Sequence, residues 1–329
     1  MRLGIWPPLL TSFAQWFGSW LLVPLSSAQL FYSFVFDRET SSSNIGSFIS
    51  TYLTAYLPAR PESYPKSLPW PNTAEVVGSV SQIAALHYPP FSSPILFPNT
   101  PPLPLPLALV TPVISPAHPS ITSLECALLH PTEPSCLKTY IHHWATSLPR
   151  FFRFIAIVYT LGALPRYRSL LADPTAAAAR ILTSATKTSI FVTGSIGSGW
   201  AALCLFQKFL PRNLLPEARF YLAGALGGLW AAADRGQGRG NFLYGFRLAL
   251  LSAWRGAKKR GLVRGVKNGD VWLFVAALAA VNVVYDMDAG TVSGAAARRV
   301  LSSVRGKGLR DLVKEKAEVE GSKVGKEKL

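Results

Sequence analysis

The sequence predicts an all-α fold: a multi-span transmembrane helical bundle with short glycine-rich helices, preceded by a proline-rich disordered region. Three observations carry that expectation. Charged residues are 15% of the 329 positions, where soluble domains carry about 25%, while 49% are hydrophobic. The apolar residues are gathered into runs, which is how a chain meets a bilayer. Those runs are rich in glycine, which costs roughly 1 kcal/mol per residue in a soluble helix but lets membrane helices approach closely.

The charge balance narrows the function classes. Lys and Arg number 33 against 17 Asp and Glu, a net charge of +16. On a membrane protein such an excess belongs beside anionic headgroups. The chain has no aromatic-basic motif of a nucleic-acid reader, so the expected partner is the lipid bilayer and no nucleic acid. Three cysteines, an odd number, make no disulfide framework.

Residues 1–36 form one apolar block, preceded by Arg2, interrupted by Pro24 and closed by Asp37, Arg38 and Glu39. Its length and flanks fit a signal anchor. Ser26 and Ala28 also permit a cleaved signal peptide. Residues 37–120 read as a Pro/Ser-rich disordered linker, because 16 of the 26 prolines fall between Pro58 and Pro119 and proline lacks the backbone donor of helix and sheet. Within it, "PPLPLPL" could take up polyproline II and meet a proline-reading module.

Residues 121–300 read as the transmembrane helical domain. Its apolar runs are 148–164, 189–210, 220–234, 241–254 and 271–285. Several are nearer 15 residues than the ~20 of a perpendicular span, so some must be re-entrant, amphipathic or set in a thinned bilayer. Residues 301–329 read as a basic disordered tail.

Certain residues carry more than composition. Gly224 and Gly228 form a GxxxG pair on one helix face, and Gly194 belongs to a second small-residue patch, so both predict close helix packing. Such packing, with or without oligomers formed through the same faces, needs no ligand. Asp234 and Arg239 sit in a glycine-rich turn at the expected membrane edge. This turn lacks the strand and later acidic residue of a dinucleotide site. Arg247 lies within the apolar run 241–254. A lipid-facing arginine costs at least ~2.5 kcal/mol, so Arg247 should meet a partner such as Asp234, meet water, or lie at the interface.

The stretch Cys126 to His143, "CALLHPTEPSCLKTYIHH", gathers two cysteines and three of the five histidines. Cys126, His130, Cys136 and either His142 or His143 are residue types that zinc prefers, but their spacing fits no common zinc class. A Cys126–Cys136 disulfide is a second reading. The favoured one is a non-catalytic lead-in segment without metal or cofactor, in which His130-Pro131 ends one helix and Leu137 to Trp144 begins an amphipathic one. No paired histidine box, nucleophile elbow or carboxylate pair appears in the membrane part, so no catalytic residue is assigned. The alternative is a membrane-bound enzyme of lipid metabolism using His130, His142 and His143.

The order of these features resembles the amino-terminal, cysteine-bearing half of the transmembrane protein 135 family. The matching residues are His130-Pro131 with Cys136, Cys204, Gly224 to Arg239, Tyr244, Arg247 and "KNGDVWLF" at 267–274. They cover roughly 121–300. That family is distantly similar to the peroxisomal membrane protein 4 group and to the channel subunits of mitochondrial inner-membrane translocases, which are four-helix units with short, glycine-rich spans. The resemblance implies an integral, non-enzymatic membrane protein of mitochondria or peroxisomes with a pore-like, lipid-handling or organelle-dynamics role. The proline-rich insert and the thinned cysteine content depart from the family, and its second half has no counterpart here.

Overall fold

A computed structural model describes residues 18–41, 43–62, 64–98, 103–236, 238–292, 294–306 and 308–315. The beginning of the apolar block and the end of the basic tail lie outside them. Among the described residues the secondary structure is helical, and the only extended pairing is one isolated antiparallel bridge between Pro90 and Ser123. The chain divides into two compact units, Met1–Arg260 and Gly261–Leu329. The boundary therefore falls inside the expected 121–300 domain.

In the first unit a 3-10 turn, Ser19–Leu21, leads into α1, Leu22–Phe36. Pro24 does not interrupt this helix. It stands in the first turn, where a backbone N–H would have no intrahelical partner. Six further elements follow: α2 (Ser43–Tyr52), α3 (Thr73–Ala85), a 3-10 helix (Leu105–Val110), α4 (Thr111–Ile114), α5 (Leu124–Leu129) and α6 (Cys136–Ala163). After a short α7 (Tyr167–Ala172) come α8 (Pro174–Phe209), α9 (Ala218–Gly228) with a 3-10 extension (Leu229–Asp234), and α10 (Arg239–Lys259). Helix α1 packs on α9 and α10, while α8 packs on both α6 and α9.

The linker expected at 37–120 is corrected by this arrangement. Its described residues supply core side chains, among them Val77, Val80, Ile83, Leu107, Val110 and Val113, all fully buried. Three of the prolines stand where a missing donor costs nothing. Pro71 precedes the α3 cap, and Pro106 and Pro112 occupy first turns. Asn72 caps α3 reciprocally with Glu75: the Glu75 N–H donates to Asn72 Oδ1 (2.9 Å) and the Asn72 N–H to Glu75 Oε2 (2.7 Å). "PPLPLPL" does not run on as polyproline II, since from Leu105 it enters the 3-10 helix with Leu107 buried.

Among the described residues three helices are long and apolar enough to cross a membrane: Ser19–Phe36, Pro174–Phe209 and Gly269–Met287. The second has 36 residues, about 54 Å at 1.5 Å per residue, so the expected short run at 189–210 is the end of a much longer helix. The runs 148–164, 220–234 and 241–254 fall short. Arg150 and Arg153 interrupt the apolar face of α6, α9 has 11 residues before its helix tightens, and α10 begins and ends in charges.

The second unit contains α11, Gly269–Met287, and α12, Ala295–Val304. Helix α11 is apolar and, Tyr285 apart, exposed: Trp272, Leu273 and Phe274 are 72%, 74% and 67% exposed. Its C-terminal end is held by Arg305, whose guanidinium binds Asp286 and lies 5.1 Å from the Tyr285 ring. Arg298 forms a two-point ion pair with Asp311, Nε to Oδ1 at 2.8 Å and Nη2 to Oδ2 at 2.7 Å. Residues 301–315, expected as tail, are thus partly helical and docked.

Candidate metal centre

Four potential ligands from three segments meet in the first unit. Cys126 lies in α5, His130 just after it, Cys136 at the start of α6 and Cys204 in the last turns of α8. Their ligating atoms all lie within 4.8 Å of one another. Cys126, His130 and Cys204 are buried at 7%, 4% and 4% exposure, and all three cysteines are free.

Local chemistry places each of them. Helix α5 stops at Leu129 because Pro131 restricts the residue before it. The Pro131 carbonyl accepts from the His118 N–H at 2.8 Å and anchors the loop. Ser135 then caps α6, its hydroxyl accepting from the Lys138 N–H at 3.3 Å, which sets Cys136 in the first turn. Gln207, one turn beyond Cys204 on α8, donates to Glu125 Oε2 at 3.0 Å and accepts from the Ser123 hydroxyl at 3.2 Å. These bonds hold α5 against α8 beside the cysteine.

The imidazole is oriented as a ligand. His130 Nδ1 lies 2.7 Å from the Glu133 carbonyl, which can only accept, so Nδ1 carries the proton. Nε2 then points inward, 3.6 Å from Cys204 Sγ. Cys126 Sγ is 3.8 Å from Cys136 Sγ. Burial alone would lower the pKa of His130, but hydrogen bonds to Cys126 and Cys136 outweigh it and raise the imidazole to about 10. Hydrogen bonds from Cys126, Cys204 and His130 hold the Cys136 thiol far below its ordinary range.

Glu125, adjacent to Cys126, is fully buried. Burial pushes its carboxyl up to about 7 against the opposing pull of Gln207 and Arg219. Glu125 Oε1 and Arg219 Nη1 have no hydrogen-bond partner among the described residues. Arg219 otherwise donates to the carbonyls of Pro211 and Leu214 and lies 4.6 Å over the Tyr88 ring.

The fourth ligand differs from the residues the sequence offered. His142 is exposed. His143 is fully buried elsewhere, with Nε2 3.3 Å from the Thr193 carbonyl and the ring filling a notch at Gly197. Cys204, 74 positions beyond His130, completes the set. In the sequence it stands only as the third cysteine and as one of the residues that carry the family resemblance. The histidines of the enzymatic alternative thus lie in three different environments.

The remaining singled-out residues lie outside this centre. A Cβ at Gly224 or Gly228 would fall 2.5 Å from the Ser27 carbonyl oxygen or the Pro24 Cα of α1. At Gly194 it would collide with the Trp230 indole, which donates to Ser198 Oγ at 2.7 Å. Asp234 is buried at 1% exposure and accepts from the Thr188 hydroxyl at 3.0 Å. Arg239 and Arg247 are exposed, and no ion pair joins either to Asp234 among the described residues. The pairing of Arg247 with Asp234 that the sequence allowed is not formed: Asp234 Oδ2 accepts from Thr188, and Oδ1 has no hydrogen-bond partner among the described residues.

No family model matches the chain, and no curated protein or solved structure matches it either.

Proposed function

We propose that the chain is an integral, non-enzymatic membrane protein of mitochondria or peroxisomes, serving as an assembly, pore-like or lipid-handling unit. The observation that supports membrane residence is α11: nineteen residues, apolar between Asp270 and Asp286 except Asn282 and exposed except at Tyr285. Water would penalise such a surface by about 25 cal/mol per Å², whereas a bilayer accepts it. The organelle and the role rest on the resemblance over 121–300. The enzymatic alternative gains no observation, since His130 turns into the cysteine cluster, His143 packs in a helix notch and His142 is exposed.

The test is microscopy of the carboxyl-terminally tagged chain with mitochondrial and peroxisomal markers, combined with carbonate extraction of the same cells. Carbonate-resistant signal on either organelle is the expected result. A carbonate-soluble, nuclear or secreted protein would overturn the reading.

A further inference from the structure

We propose that Cys126, His130, Cys136 and Cys204 bind one zinc ion in a closed, structural site of three cysteines and one histidine. The proposal goes beyond the membrane reading and does not depend on it.

The geometry decides the nuclearity. Zinc bonds of about 2.3 Å to sulfur and about 2.0–2.1 Å to nitrogen, arranged tetrahedrally, set S···S edges near ~3.8 Å and S···N edges near ~3.6 Å. Two opposite edges of the observed cluster are Cys126 Sγ to Cys136 Sγ at 3.8 Å and Cys204 Sγ to His130 Nε2 at 3.6 Å. All remaining separations are within 4.8 Å. That space holds one four-coordinate ion and is too small for two irons with their bridging sulfides. It also differs from a disulfide, whose sulfurs sit about 2.05 Å apart.

The donor set decides the metal class. Thiolate and imidazole in tetrahedral array suit zinc, while calcium and magnesium require oxygen. The outer contact is the usual one for a metal-bound histidine, since Nδ1–H donates to the Glu133 carbonyl and leaves the Nε2 lone pair for the ion. On binding, protons still held by the thiols and by Nε2 pass to solvent, and three thiolates with one neutral imidazole leave the Zn²⁺ site at net −1. A cleft of about 480 Å³, lined by Trp70, Leu129, His130, Glu133, Lys138 and His142, opens beside His130.

Four protein ligands leave no open coordination position, which makes the role structural rather than catalytic. The ion would clamp α5 and the start of α6 to the end of α8, segments otherwise joined by Gln207 at α5, by the Tyr140–Ser198 and His143–Thr193 hydrogen bonds at α6, and by packing.

The experiment measures metal in the full chain, purified in detergent without added chelator, by inductively coupled plasma mass spectrometry. One zinc per chain is expected, with all three thiols resisting maleimide until a strong chelator is added. Cys204→Ser and Cys126→Ser should lose the zinc, while His142→Ala should keep it. His130→Cys should also keep it, because it completes a set of four thiolates, and this variant separates ligand loss from misfolding. Cobalt exchanged into the wild-type chain should show thiolate-to-metal charge-transfer bands. Zinc retained in both serine variants would overturn the proposal. So would a wild-type chain without zinc whose thiols alkylate freely or form a Cys126–Cys136 disulfide. Iron or copper in place of zinc would overturn the assignment of the metal.

Discussion

At the scale of single residues, glycine acts in two opposite ways. Gly228 is a contact, because its missing side chain admits the backbone of α1 at Pro24 and Val23. Gly78, in α3, has open space where a Cβ would go. Gly228→Leu should therefore destabilise the protein by about 1–3 kcal/mol through overpacking. Gly78→Ala should stabilise it by roughly 0.5–1 kcal/mol by restricting the unfolded chain and favouring helix. Denaturant melts of the two variants in one detergent check both signs, and a neutral Gly228→Leu would show that α9 does not rest on α1. The sequence marks Gly228 through its GxxxG pair with Gly224 but does not say which helix it meets. Gly194 and Gly197 teach the same lesson, since one seats Trp230 and the other His143, and neither partner is a sequence neighbour.

At the scale of elements, local signals were read with mixed success. The helical identity of 189–210 and 271–285 was legible from apolarity. The prolines of 58–119 misled, because their count says nothing about where they stand. Pro71, Pro106 and Pro112 all sit at helix starts, and the short apolar pieces between prolines found a core only in three dimensions. The link between α12 and the segment after it is an electrostatic element with a definite pH response. The hydrogen bond from Arg298, helped by its charge, holds the Asp311 carboxyl at about 2, below the ordinary value near ~3.9. A depressed carboxylate stabilises the folded form fully above its unfolded pKa and loses that contribution as pH falls through the folded one. Docking of 308–315 should thus persist above about pH 4 and loosen as pH drops toward 2. Hydrogen exchange of peptides covering 308–315, corrected for intrinsic rates, reads this directly. Asp311→Asn should make the segment exchange fast at every pH, and unchanged protection in that variant would exclude the ion pair as the anchor.

At the scale of the whole molecule, the two units pose different solvation problems. The first buries a continuous core running from Phe31 through Val80 and Leu128 to Trp200 and Phe220. In the second, α11 buries almost nothing of its own surface, with Tyr285 its one buried side chain. A single arginine at Leu273 or Val275 should disfavour membrane insertion of that helix by at least ~2.5 kcal/mol, read as altered glycosylation of a tag placed after residue 288. Insertion unchanged by both substitutions would mean that α11 is covered by protein rather than lipid.

Composition and local pattern were enough for the quantities that are local or additive: helix over strand, apolar runs able to meet a bilayer, and the basic excess. Each depends on residues a few positions apart or on a sum over the chain. Which residues meet was left to the tertiary structure. It chose Cys204 over His142 and His143 as the fourth member of the cluster. It gave Asp234 to Thr188 and left Arg247 exposed, and it turned a proline-rich linker into core. These outcomes depend on how helices distant in sequence are rotated and pressed together, and packing, which sums many weak contacts between such helices, leaves no local pattern to read.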